Sequence, residues 1–225
     1  MNTSITSIIR YTTCPLCQSE SIEAELSAKD HTVSGQVFDV WKCRSCGCRF
    51  TQAVPDEEHI GAFYESEEYI SHSNTSKGLV NSLYQTVRNY TLNQKQKLIV
   101  SQSGKSQGSI LDIGCGTGEF LGKMKSVGWE TRGLEPSESA RTQAKENHDL
   151  HVSAPSDLFQ LQADTYDVIT MWHVLEHVHK LHEYLDQIQS ILKQDGKLII
   201  AVPNYESLDA AYYGEKWAAY DVPRH

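Results

Sequence analysis

The chain has 225 residues, of which 39% are apolar and 22% charged, and that balance supplies a core and excludes a disordered chain. Twenty basic against 29 acidic side chains leave a formal net charge of −9, which would repel a phosphate backbone and so disfavours a nucleic-acid partner. The longest apolar runs, such as Leu198 to Val202, fall far short of the roughly 20 residues of a spanning helix, and the first ten residues lack the marks of a secretory signal, so no membrane association and a cytoplasmic location are expected.

In chain order, the first feature is a pair of Cys-x-x-Cys knuckles, Cys14 with Cys17 and Cys43 with Cys46, separated by 25 residues. Each knuckle presents two thiolates from one tight turn, and two knuckles complete the tetrahedron that zinc prefers. A site of four cysteines has no open position, so the zinc expected there is structural. Cys48 is near enough to compete, but the two-residue spacing selects Cys46. Between the knuckles, residues 35–42 alternate as a hairpin strand does.

Pro55-Asp56-Glu57-Glu58 reads as a helix start, followed by Tyr64 and Tyr69 as candidate lid residues, a polar loop over 71–77, and a second helix from Leu79 to about Val100. Residues 101–109 form a polar connection. Strand and helix then alternate: strands at 110–113, 130–135, 166–171 and 197–202, helices at 119–127, from the Ser137 cap to about Asn147, and at 181–192. Such alternation predicts a parallel sheet covered on both faces, with ligands at the carboxyl ends of its strands where the strand order reverses.

The segment Leu111-Asp112-Ile113-Gly114-Cys115-Gly116-Thr117-Gly118 is a strand feeding a glycine loop that opens a helix. Completing a dinucleotide Gly-x-Gly-x-x-Gly would need glycine at 119, which is glutamate, and a pyrophosphate would meet that carboxylate where it needs bare amides. The loop therefore suits a ligand without phosphates. Asp112 can pair with a cationic amino-acid moiety, while Glu135 can accept both hydroxyls of a ribose. S-adenosylmethionine is the ligand that asks for a carboxylate at both points.

LDIGCGTGEF, with the downstream Gly-Leu-Glu-Pro, Tyr-Asp-Val-Ile and Val-Leu-Glu-His-Val, resembles the class I S-adenosylmethionine-dependent methyltransferases over about residues 80–204. The resemblance implies a doubly wound Rossmann-like α/β sheet. It implies that Gly114, Cys115, Gly116 and Gly118 line the cofactor, Glu135 holds the ribose, Pro136 packs by the adenine, and Asp157 reads the adenine amino group. It also implies that Trp172 and His173 face the sulfonium and the acceptor, and that S-adenosylhomocysteine is the product. The expected organisation is a zinc-ribbon-like domain over 1–54, a helical connection and lid over 55–104, and the cofactor-binding sheet over 105–225.

Methyl transfer requires an acceptor held in line and a base where a proton must leave, for which histidine is the usual group. If the segment after the strand at 166–171 is helical, His173, Glu176 and His177 share one face. The arrangement is similar to the Glu-x-x-Glu-His of quinone-biosynthesis O-methyltransferases, which implies a divalent metal near the acceptor, with His173 here in place of the first glutamate. The knuckles preceding such a sheet are also similar to deoxysugar C-methyltransferases, whose Glu-His pair falls at Arg224-His225, which adds His225 to His173 and His177 as catalytic candidates.

A small-molecule acceptor such as a sugar nucleotide or glycan precursor is expected. The alternatives are a ribosomal-RNA methyltransferase with a zinc module, a catalytically inactive cofactor-binding module, and an NAD-dependent oxidoreductase. The acceptor atom and oligomeric state are not legible. The family's sheet has seven strands and five are counted here, which predicts that the 225 residues are an N-terminal fragment.

Overall fold

The structure, a computed structural model, describes residues 7–64 and 79–225, with side chains described for 7–64 and 85–225. Tyr69 and the 71–77 segment lie outside the described residues. The chain divides into two compact units that interleave along the sequence, one of residues 1–75, 176–181 and 203–225, the other of residues 76–175 and 182–202.

In the first unit, β1 (Ile8–Ile9) pairs antiparallel with β5 (Val54–Pro55), while β2 (Ile22–Lys29), β3 (Val37–Cys43) and β4 (Arg49–Thr51) form an antiparallel sheet in that order. The period of two in β3 explains its placement: Phe38 and Val40 are buried and Val37 and Asp39 exposed. These residues join Ala28, Ile60, Phe63, Tyr220 and Val222 in one apolar core. The expected helix at 55–58 is instead a turn closed by the Asp56 carboxylate on the His59 amide (3.1 Å), followed by a single 3-10 helix, Ile60–Phe63. In a 3-10 turn residues three apart eclipse, which puts Ile60 and Phe63 together in the core, and Gly61 between them weakens any α-helix.

Arg224 ties this unit together. It is 3% exposed, and its guanidinium donates to the Phe63 carbonyl (2.5 Å), Asp30 Oδ1 (3.2 Å), Thr32 Oγ1 (2.7 Å) and both oxygens of Asp221 (2.6 and 2.9 Å). Burial opposes ionisation of Asp30, but bonds from the Ser34 and Thr32 amides and hydroxyls outweigh it and hold its carboxyl well below the usual range.

In the second unit, α1 (Leu79–Ser103) leads into β6 (Ser109–Ile113), α2 (Glu119–Ser126), β7 (Glu130–Leu134), α3 (Glu138–His148), β8 (Val152–Ser153), β9 (Tyr166–Trp172), α4 (Leu181–Ile191) and β10 (Leu192–Ala201). The five strands are all parallel, in the order β10-β9-β6-β7-β8. This is the doubly wound α/β sheet that the alternation predicts. The order reverses between β6 and β9, the place where such sheets bind ligands. Both of these strands are buried almost throughout, as central parallel strands covered on two faces must be. Ile99 of α1, Ile110, Phe120, Leu121, Met124, Trp129, Ala144, Leu150 and Val168 pack as the main core. β10 starts earlier than predicted, at Leu192, and its register shifts before Lys197, from which it follows β9 regularly to Ala201.

The segment after β9 does not meet the condition for a shared helical face. His173 takes a left-handed backbone (φ +59°) and only Leu175–His177 forms a 3-10 turn, so no continuous helix gives residues 173, 176 and 177 one face.

Candidate functional site

The glycine loop is bound to the end of β7. The amides of Gly114 and Cys115 donate to the Leu134 carbonyl at 2.7 and 3.1 Å, and the Gly116 amide donates to Glu135 Oε2 at 2.9 Å. Glu135 Oε1 accepts from the Ser137 amide at 2.9 Å, so its carboxylate is fixed by one amide on each oxygen, with lone pairs remaining on both. Gly116 and Gly118 have positive φ (+54° and +81°) but opposite surroundings. A Cβ on Gly116 would meet nothing within 4 Å, so the loop opens on space there. A Cβ on Gly118 would come within 2.5 Å of Leu150 Cδ1 and 2.9 Å of Ala144 Cβ, so its hydrogen lets α2 approach α3.

Asp112 is 2% exposed and accepts from Thr170 Oγ1 at 2.6 Å, its partner in the β6/β9 register. Burial pushes its carboxyl up to about 7, against the Thr170 bond and the Lys95 ammonium, while the Glu135 charge raises it further. The Lys95 ammonium lies 4.2 Å from the Trp172 ring centroid, so that indole face already accommodates a cation. Phe120 backs Trp172 edge-on at 5.7 Å. Lys95 and Thr170 are the members of this group that the sequence reading missed; Thr170 is one residue inside an apolar strand, and only the register shows that it faces Asp112.

The remaining predicted residues are placed as follows. Burial drives the Cys115 thiol up to about 12, which leaves it inert as a nucleophile. Pro136 follows Glu135, and the carbonyls of both accept from Arg141 Nη1 at 2.7 and 2.8 Å. Asp157 is half-buried in a 3-10 helix, Pro155–Gln160, beyond β8. The His173 amide donates to the Ala201 carbonyl at 2.9 Å, which places the residue at the carboxyl ends of β9 and β10.

In the other unit, His177 Nδ1 lies 3.0 Å from the Tyr64 hydroxyl and 3.2 Å from the Arg224 carbonyl, and its ring meets that of His225 edge-on at 4.5 Å between centroids. His225 Nδ1 lies 2.9 Å from the Ala219 carbonyl. Tyr64, expected as a lid, is thus a partner of His177.

The same unit gathers the four knuckle cysteines, whose sulfurs all lie within 4.8 Å of one another. Cys14 and Cys46 are 3.7 Å apart, Cys17 and Cys43 3.6 Å. Zinc–sulfur bonds of about 2.3 Å in a tetrahedron require sulfurs about 3.8 Å apart, so the residues fit the ion. The two knuckles are alike: amide 18 donates to carbonyl 14 and amide 47 to carbonyl 43, each at 2.9 Å, and Gln18 and Gly47 both have positive φ. Cys48 is not one of the four, and its thiol donates to the Arg49 carbonyl at 3.4 Å.

A family profile described as a methyltransferase domain matches residues 85–225, more than half of the chain. An uncharacterized methyltransferase of Alkaliphilus oremlandii is 33% identical over 107 residues, 46% of this chain and 49% of the relative. A ubiquinone biosynthesis O-methyltransferase of Actinobacillus pleuropneumoniae is 34% identical over 106 residues, 42% of this chain and 45% of the relative. The chain thus spans about half the length of the curated relatives it matches. A crystal structure of an S-adenosylmethionine-dependent methyltransferase from Archaeoglobus fulgidus aligns with a TM-score of 0.48 at 27% identity, covering 56% of this chain and 57% of that one.

Proposed function

The chain belongs to the methyltransferase-domain family, and from that premise we propose that it is an S-adenosylmethionine-dependent methyltransferase whose acceptor is a small molecule. The observation that carries the cofactor reading is Glu135: a carboxylate held between the amides of Gly116 and Ser137, beside a loop that opens on space at Gly116. Its outward lone pairs accept the two ribose hydroxyls. Asp112 takes the ammonium of the methionine end, and the face of Trp172, over which Lys95 now lies, takes the sulfonium in its place. When bound, the cofactor supplies an electrophilic methyl group. Asp157, in the 3-10 helix beyond β8, is assigned to the adenine amino group and Pro136 to the adenine face.

His173, at the ends of β9 and β10, is the group we assign to removing the acceptor's proton. The small-molecule class is supported by the net charge of −9 and by relatives named for ubiquinone biosynthesis; within that class a sugar nucleotide or glycan precursor is the acceptor we favour. The cysteine cluster holds structural zinc, supported by its sulfur spacing. Among the described residues no helix is long and apolar enough to cross a membrane.

The test is calorimetric titration with S-adenosylhomocysteine. Glu135→Gln removes a charged acceptor worth about 1.5–3 kcal/mol and is expected to weaken binding roughly 10- to 100-fold while the fold persists. Equal affinity in the variant and the parent, or tight NAD binding with none of S-adenosylhomocysteine, would overturn the reading.

A further inference from the structure

We propose that Glu176, His177 and His225 form a second metal site, separate from the cysteine cluster, that takes a divalent first-row transition ion through one carboxylate oxygen and two imidazole nitrogens. The three come from two stretches of the chain, 49 residues apart at the extremes, yet their ligand atoms lie within 4.8 Å of one another, all within the cysteine-bearing unit. An ion with bonds of about 2.1 Å needs donors about 3 to 4 Å apart, so the side chains have to close by about an ångström.

The imidazoles are prepared for this. A carbonyl oxygen can only accept, so the Arg224 carbonyl on His177 Nδ1 and the Ala219 carbonyl on His225 Nδ1 put the proton of each ring on Nδ1. The lone pair of each neutral ring then resides on Nε2, and a main-chain carbonyl on the opposite nitrogen is the support that metal-binding histidines usually have. The Tyr64 hydroxyl, also on His177 Nδ1, and Arg224, clamped by Asp30 and Asp221, steady both rings. The Asp221 carboxylate, 3.8 Å from His225 Nε2, adds negative charge beside the site.

Two imidazoles and a carboxylate suit zinc, iron, cobalt or manganese better than magnesium, which prefers oxygen throughout. Three protein ligands leave coordination positions for an oxygen of an exogenous molecule. The set differs from the one implied by resemblance, residues 173, 176 and 177, because that set needs a helical face the segment does not form.

The experiment measures metal per chain by mass spectrometry after equilibrium dialysis of the 225-residue protein, already loaded with zinc at the cysteines, against cobalt. The parent is expected to hold two ions, zinc at the cysteines and one cobalt whose spectrum shows no thiolate charge-transfer absorption. His225→Gln, His177→Gln and Glu176→Gln should each weaken the second ion roughly tenfold or more, whereas His173→Gln should leave it in place. Titration of each variant with S-adenosylhomocysteine separates this outcome from the cofactor reading, and Glu176→Gln, which keeps its side-chain shape, decides should a histidine variant not fold. A parent that holds only the cysteine-bound ion, or a His173→Gln variant that loses the second ion as fully as His225→Gln, overturns the proposal.

Discussion

Asp112 shows how a single side chain connects the core to the chemistry. Its carboxyl is pushed up to about 7, raised by burial and by Glu135, lowered by Thr170 and Lys95; burial drives the neighbouring Cys115 thiol up to about 12. On the proposed reading, in which Asp112 takes the ammonium of the cofactor, that ammonium favours the ionised form, so below about 7 binding must first expel a proton. Affinity for S-adenosylhomocysteine is therefore expected to be flat above that pH and to fall by roughly tenfold per unit below it. Calorimetry from pH 8 to pH 6 checks this, and Asp112→Asn should abolish the slope; an unchanged slope in the variant would place the titrating group elsewhere. Asp112 and Glu135 are legible in the sequence because each sits at a defined offset from a glycine loop. Lys95 is not, since nothing in a 25-residue helix marks which lysine folds over an indole.

Among the secondary-structure elements, the glycine loop separates two kinds of necessity. Gly116→Ala and Gly118→Ala each force a left-handed backbone on a residue with a Cβ, at a cost of about 1–2 kcal/mol. At 118 the added methyl also collides with Leu150 and Ala144, and overpacking costs about 1–3 kcal/mol more. Thermal melting should fall further for Gly118→Ala, whereas Gly116→Ala should lose cofactor affinity out of proportion to its smaller loss of stability. Equal melting losses would refute the packing role given to Gly118. The strands and helices of the sheet unit were legible because apolar periodicity and caps agree, as at Ser137, whose hydroxyl accepts from the Ala140 amide at 3.3 Å. The backbone at 173–177 was not, because its spacing fits a helical face while His173 turns left-handed after β9.

Across the whole molecule, each unit contains a buried aspartate held ionised. Burial works against Asp167 as against Asp30, but Lys105, Lys193 and the amide and hydroxyl of Ser109 keep the Asp167 carboxyl well below the usual range. A depressed folded pKa stabilises the fold above the unfolded value of about 4, and that contribution is lost as pH falls from there toward the folded value. In the Asp112→Asn variant, which removes the carboxyl whose raised pKa gains stability on acidification, denaturant unfolding should therefore show lower stability at pH 3 than at pH 5. Asp30→Asn should cost about 3 kcal/mol at pH 7, the low end for breaking a buried pair, since Asp221 still faces Arg224. A loss under a few tenths of a kcal/mol in Asp30→Asn would show the network to be dispensable.

Local spacing was enough to identify the knuckle cysteines, the glycine loop, the strand-helix alternation and the two carboxylates of the cofactor reading, because each depends on residues close together in the chain. The strand order, the Asp112 to Thr170 register, the burial of Arg224 and the meeting of His225 with Glu176 and His177 arise from contacts across tens to nearly two hundred residues. Such contacts form only when a folded core brings distant segments together, and no periodicity within one segment encodes them.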